Sequence, residues 1–106
     1  MERMLSWDRI RRNRLKLRDH FALNPNDLLP SLMHRNVITF IEDQQIRMKP
    51  YLPEQFEEFF DILFMKNPQE CIPKFYEALV DINRESIRDF LQGVTGPSDD
   101  NRDAQF

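Results

Sequence analysis

Pro53-Glu54-Gln55-Phe56-Glu57-Glu58-Phe59-Phe60-Asp61-Ile62-Leu63-Phe64 is the stretch on which the fold of this chain turns. Phe56, Phe59, Phe60, Leu63 and Phe64 recur at spacings of three and four, the signature of one face of an α-helix. Glu54, Glu57, Glu58 and Asp61 fall off that stripe and are expected to face water. Pro53 suits a first helical position, where its missing N–H is not needed. An aromatic face this broad has to be covered by other helices. It is core first, with a remainder left over as a partner surface.

Working outward, the flanking segments repeat the helical pattern. Downstream, Asn67 caps a helix with Pro68 at its first position and Glu70 at its third. Ile72, Phe75, Tyr76, Leu79 and Val80 form its buried face, and Pro73 is expected to kink or delay it. A last helix starts at Asn83, uses Ile87, Phe90 and Leu91, and stops at Gly93. Upstream, Thr39-Phe40-Ile41-Glu42 reads as a capping box that starts a helix ending near Lys49-Pro50. It also explains Val37-Ile38-Thr39-Phe40-Ile41, the best strand candidate, better than a strand does. Before it, Leu28, Leu29, Leu32 and Met33 mark a helix from about Asp27 to Arg35, with Pro30 in its first turn. Asn24-Pro25-Asn26 separates that helix from the first, about Ser6 to Phe21. In the first helix Trp7, Ile10, Leu17 and Phe21 make the apolar stripe, Leu15 lies beside them, and the arginines take the other face. The fold class is therefore all-α: six helices joined by short loops in a compact antiparallel bundle.

Length and composition limit the function. A chain of 106 residues, 41% hydrophobic and 31% charged, holds one domain at most. Both glycines, Gly93 and Gly96, lie near the C-terminus, which excludes glycine-based phosphate cradles. A single cysteine, Cys71, excludes an internal disulfide framework and a cysteine-rich zinc site. No apolar run approaches the roughly 18 residues of a membrane span. No signal-peptide core is present. A soluble, reduced, cytoplasmic domain without a membrane partner is expected.

Two residues invite a catalytic reading. His34 near a helix end suits the dipole as a capping group. Cys71, in the first turn of its helix, is either a thiol activated by the helix N-terminus or small packing material. Glu54, Glu57, Glu58 and Asp61 lack the accompanying histidine of a carboxylate metal site, and read as a solvated face. No catalytic residue, cofactor or metal ligand is expected, and the chain is not read as an enzyme.

Charge is distributed unevenly. Residues 1–20 carry seven basic side chains against three acidic ones, and residues 50–106 carry twelve acids against five bases, within a net charge of −3. The cluster Arg9, Arg11, Arg12, Arg14 and Arg18 has three readings: a solvated face, an anion or nucleic-acid site, or an electrostatic protein interface. Aromatics interleaved for base stacking are absent. A small helical nucleic-acid-binding domain using this basic helix on phosphates is the alternative function.

Several dispersed segments resemble one family. Arg11-Arg12-Asn13-Arg14-Leu15-Lys16-Leu17 resembles the basic first helix of caspase-recruitment domains in the death-fold superfamily. Asp27-Leu28-Leu29-Pro30-Ser31-Leu32 and Arg35-Asn36-Val37-Ile38-Thr39 resemble the family's second helix and the junction that follows it. Phe60-Asp61-Ile62-Leu63, Pro73-Lys74-Phe75-Tyr76-Glu77-Ala78-Leu79 and Ile87-Arg88-Asp89-Phe90-Leu91 resemble helices four, five and six. The resemblance spans about residues 8–92. It implies a six-helix Greek-key bundle with a kinked first helix. It also implies a homotypic module that recruits a caspase, adaptor or scaffold in apoptotic or innate-immune signalling.

In the family, one common contact joins helices one and four of one domain to helices two and three of the next. Mapped here, Arg11, Arg12, Arg14 and Arg18 form the positive surface and Asp27, Glu42 and Asp43 the negative one. With both on one chain, head-to-tail contacts would propagate into filaments. Glu54, Glu57 and Glu58 depart from the lysines and arginines that basic-face members often carry on helix four. Residues 1–93 are expected to form the domain and 94–106 a disordered acidic tail or linker. The Met1 start and polar tail suggest the N-terminal module of something longer.

Overall fold

The computed structural model describes residues 5–93, and every described element is helical. In chain order these are α1 (Asp8–Arg12), α2 (Arg14–Asp19), α3 (Pro25–His34), α4 (Phe40–Arg47), α5 (Leu52–Leu63), α6 (Pro68–Asp81) and α7 (Glu85–Gln92). The six expected blocks become seven because the first one breaks at Asn13. That residue turns its side-chain amide back onto the Arg9 carbonyl at 2.8 Å, and its backbone N–H onto Arg9 and Ile10. The Leu17 N–H then bonds the Asn13 carbonyl, which starts the next turn in a new direction. Counted as one broken helix, α1 and α2 leave six helices and match the kink expected of the first.

Capping chemistry sets most boundaries. The Asn24 and Asn67 side chains each accept an N–H two residues on, with proline at the following position. Thr39 and Glu42 close a full capping box at 3.0 and 3.1 Å. Gly93 ends α7 with a φ of 73°, a left-handed conformation that glycine adopts without a Cβ clash.

The core is centred on α5 and α6. Phe56, Phe59, Phe60, Leu63, Phe75 and Leu79 are fully enclosed. Ring pairs link them: Phe56–Phe60 at 4.8 Å, Phe59–Phe60 at 4.9 Å and Phe60–Phe75 at 6.4 Å. Each such side chain contributes about 1.5–3 kcal/mol through burial. Around this centre α3 packs on α6, α4 and α5, α4 packs on α5, and α7 on α6. Trp7 anchors the first helix between Phe64 and Phe75, and its indole N–H donates to the Lys66 carbonyl at 2.9 Å. Arg35 ties α3 to α6, bonding Glu77 and Asp81 at 2.7 Å each.

Several sequence expectations need correction. Leu15 is exposed instead of lying beside the apolar stripe, because its position two residues before the buried Leu17 places it about 160° around the helix from that residue. Pro30 sits in the second turn of α3, since Asn24 starts that helix earlier than expected. Pro73 neither delays nor ends α6, which runs unbroken from Pro68 to Asp81 with the proline on its exposed side. The last helix begins at Glu85 and not at Asn83, which adopts a φ of 62° to close the preceding turn. The phenylalanine face of α5 is not too wide to bury: only Phe64, its C-terminal member, is partly open. The tail expected over residues 94–106 lies outside the described residues.

Candidate protein-interaction surface

The first helix presents two edges to its neighbours. On the edge that meets α5, the Arg11 guanidinium stands over the Phe64 ring, 4.8 Å from its centroid, and pairs with Asp8 at 2.8 Å. Arg14 reaches Glu57 of α5 at 3.4 Å, while its Nε is buried without a partner. Arg18 pairs with Asp19 at 2.9 Å and shares a shallow groove with Glu54, Glu57, Glu58 and Asp61. Hydrogen bonding to Arg18, the main cause, holds the Asp19 carboxyl below its ordinary pKa. Arg12 is exposed, and no carboxylate among the described residues pairs with it. Of the four arginines expected to form a positive surface, three are therefore already in contact with an acid. The structure brings Arg14 and Arg18 beside the α5 acids, with Arg11 over Phe64, so that edge has mixed charge, while nothing joins Arg12 to it.

The expected negative surface is rearranged further. Asp27 is exposed on α3 and free of ion pairs among the described residues. Asp43 is only 5% exposed, and its carboxylate accepts from Arg47 one turn on, at 2.9 Å. Glu42 lies against Lys66, whose ammonium donates to both carboxylate oxygens at 2.7 and 2.8 Å. Burial raises the pKa of Glu42, but bonds from Lys66 and the Thr39 backbone outweigh it and leave the group below its ordinary value. Both acids on α4 thus point inward or sideways. What α4 turns outward is largely uncharged: Phe40 is 67% exposed, Ile41 69% and Met48 78%, with Gln44 and Gln45 between them, and Arg47, paired with Asp43, is exposed at its margin.

This face is absent from the sequence reading, although a signal for it exists. Ile46 is the buried apolar residue of α4. At about 100° per residue, Phe40, Ile41 and Met48 fall about 120–160° around the helix from it. Fixing the register on Ile46 therefore sends them to the outside, despite their hydrophobicity.

Cys71 is buried in the core; burial, followed by the nearby Glu70 charge, pushes its thiol pKa up, the reverse of activation. His34 is exposed at the end of α3. No metal-holding group of His, Cys, Asp and Glu is found among the described residues. No described helix is long and apolar enough to cross a membrane.

A model of one family, the caspase recruitment domain, matches residues 7–93 of the 106-residue chain. The match covers nearly all of the helical bundle, and the chain belongs to that family. No individual curated protein and no solved structure matches the chain. Family membership makes the chain a homotypic interaction module of apoptotic and inflammatory signalling, from a family of binding domains rather than enzymes.

Proposed function

We propose that this chain docks onto other caspase-recruitment domains, including copies of itself, and so recruits a caspase, adaptor or scaffold in the cytoplasm. The contact joins the α1–α2 edge with α5 of one copy to the α3–α4 face of the next. The observation that carries this reading is the outward face of α4. Phe40, Ile41 and Met48 stand in water together on this one helix, while Leu15, Tyr51, Leu52 and Met65 are exposed elsewhere, and such a grouping suits a partner surface. Asp27 on the neighbouring α3 supplies an exposed acid for Arg11, Arg12, Arg14 and Arg18, while Glu42 and Asp43 position α4 from within. The contact is therefore more apolar than the charge pattern of the sequence implies. Because the two faces differ, they stack head to tail and extend into filaments.

A nucleic-acid role for the basic helix is not favoured. Arg11, Arg14 and Arg18 are engaged with Asp8, Glu57 and Asp19, and four α5 carboxylates lie along the same edge. A phosphate backbone would meet a mixed field there.

The test uses two variants that each lose one face. Arg14→Glu impairs the α1–α2 edge and Phe40→Glu impairs the α4 face. Phe40→Glu should not self-assemble and Arg14→Glu should do so only weakly at low salt, but mixed together there they should form a one-to-one dimer through the two intact faces, seen by sedimentation. Absence of a dimer on mixing, with both variants folded, would count against this pairing.

A further inference from the structure

The cations of the first helix divide into two groups. Arg11 and Arg14 turn toward α5. Arg9 and Lys16 lie on the side of α7, with the exposed Arg12 between them in sequence, and these three form the other group. The Lys16 ammonium stands over the Phe90 ring, 5.3 Å from its centroid. The Arg9 guanidinium lies against Gly93, where its Nη2 is 2.9 Å from the place a Cβ would occupy. No carboxylate among the described residues pairs with any of the three, and α7's own Asp89 is held by Arg88. Among the described residues this positive group is thus left without a counter-charge, unlike the α5-facing edge.

The chain continues past Gly93 from beside that group. Residues 94–98 are Val94-Thr95-Gly96-Pro97-Ser98, without charge, and then come Asp99, Asp100 and Asp103 against the single Arg102. Six residues separate Gly93 from Asp99, and a chain of that length spans about 20 Å at most. From Arg9 to Lys16 the first helix rises about 10 Å. The acids are therefore confined near cations of opposite sign, at an effective concentration in the millimolar range.

We propose that the Asp99–Asp103 segment of the same chain is the occupant of the Arg9–Arg12–Lys16 group. It screens this side of the first helix from acidic partners, while the α5-facing edge stays available for domain docking. The contact is a fluctuating electrostatic one, weakened by salt.

The experiment compares amide spectra of the full-length wild type and the full-length triple variant D99N/D100N/D103N, at high dilution. Spectra are taken at about 0.01 M and about 1 M ionic strength, where charges act over about 30 Å and about 3 Å. The expected result is a set of low-salt shift differences at Arg9, Arg12, Lys16 and their neighbours, independent of protein concentration and lost at high salt. Two results would overturn the proposal. One is shift differences confined to residues 94–106. The other is differences on these cations that grow with concentration, which would make the contact intermolecular.

Discussion

The first helix and α4 carry their charges in opposite ways. The first helix is dense in arginine, and its charges remain at the surface, in pairs on one edge and unpaired on the other. In α4 the two acids are taken up by Lys66 and by Arg47, so the face it shows to solvent is largely apolar, with the paired Arg47 exposed at its margin. The net charge of a segment therefore does not give the charge of the surface it presents. Which neighbour each side chain meets decides that. A contact between these two regions should draw on burial of Phe40, Ile41 and Met48 as much as on opposite charge.

Both regions rest on one core, so the largest effect comes from removing it. Phe75→Ala or Leu79→Ala should cost about 2–5 kcal/mol in denaturant unfolding and loosen both surfaces together. A wild-type midpoint for either variant would mean that α6 does not support them.

Next comes the tie that orients α4. Lys66→Met leaves Glu42 partly buried without its cation, and should cost about 1–3 kcal/mol. The same pair has a pH signature. The folded-state pKa of Glu42 is lowered, so its stabilisation is present above the ordinary carboxylate value, about 4.3, and fades as pH falls through the lower folded value. Glu42→Gln should flatten the acid side of the stability profile. An unchanged acid limb would show that the pair contributes nothing to stability.

Smaller effects on folding, with large ones on association, separate the two surfaces. Phe40→Glu should shift stability by no more than about 0.5 kcal/mol, because the side chain is exposed. It should nevertheless abolish self-association at low and high salt alike. Arg14→Glu should fold with a normal circular dichroism spectrum and weaken association mainly at low salt, since exposed ion pairs are worth about 0–1 kcal/mol each and are screened. Equal salt dependence for the two variants would erase the distinction between an apolar and a charged face.

The sequence exposed the fold more fully than the surface. Phe56, Phe59, Phe60 and Leu63 belong to a repeating pattern that only a helix satisfies, and Asn24, Thr39, Asn67 and Gly93 mark ends by local chemistry. These are short-range signals. The break at Asn13 is weaker in the residue pattern, where Ile10 and Leu17 keep register across it. The positive helix was legible as composition, but the partners of its arginines were not. Glu57 lies 43 residues from Arg14, and only the packing of α5 against the first helix brings them together. Glu42 likewise meets Lys66 only through packing, whereas Asp43 and Arg47 stand four residues apart on α4.

The central claim is self-docking through unlike faces. Light scattering of the purified full-length chain against concentration, at low and at high salt, tests it most directly. The account predicts growth into large species that salt reduces without abolishing, because the α4 face contributes burial as well as charge. A chain that stays monomeric at every concentration and salt would contradict it.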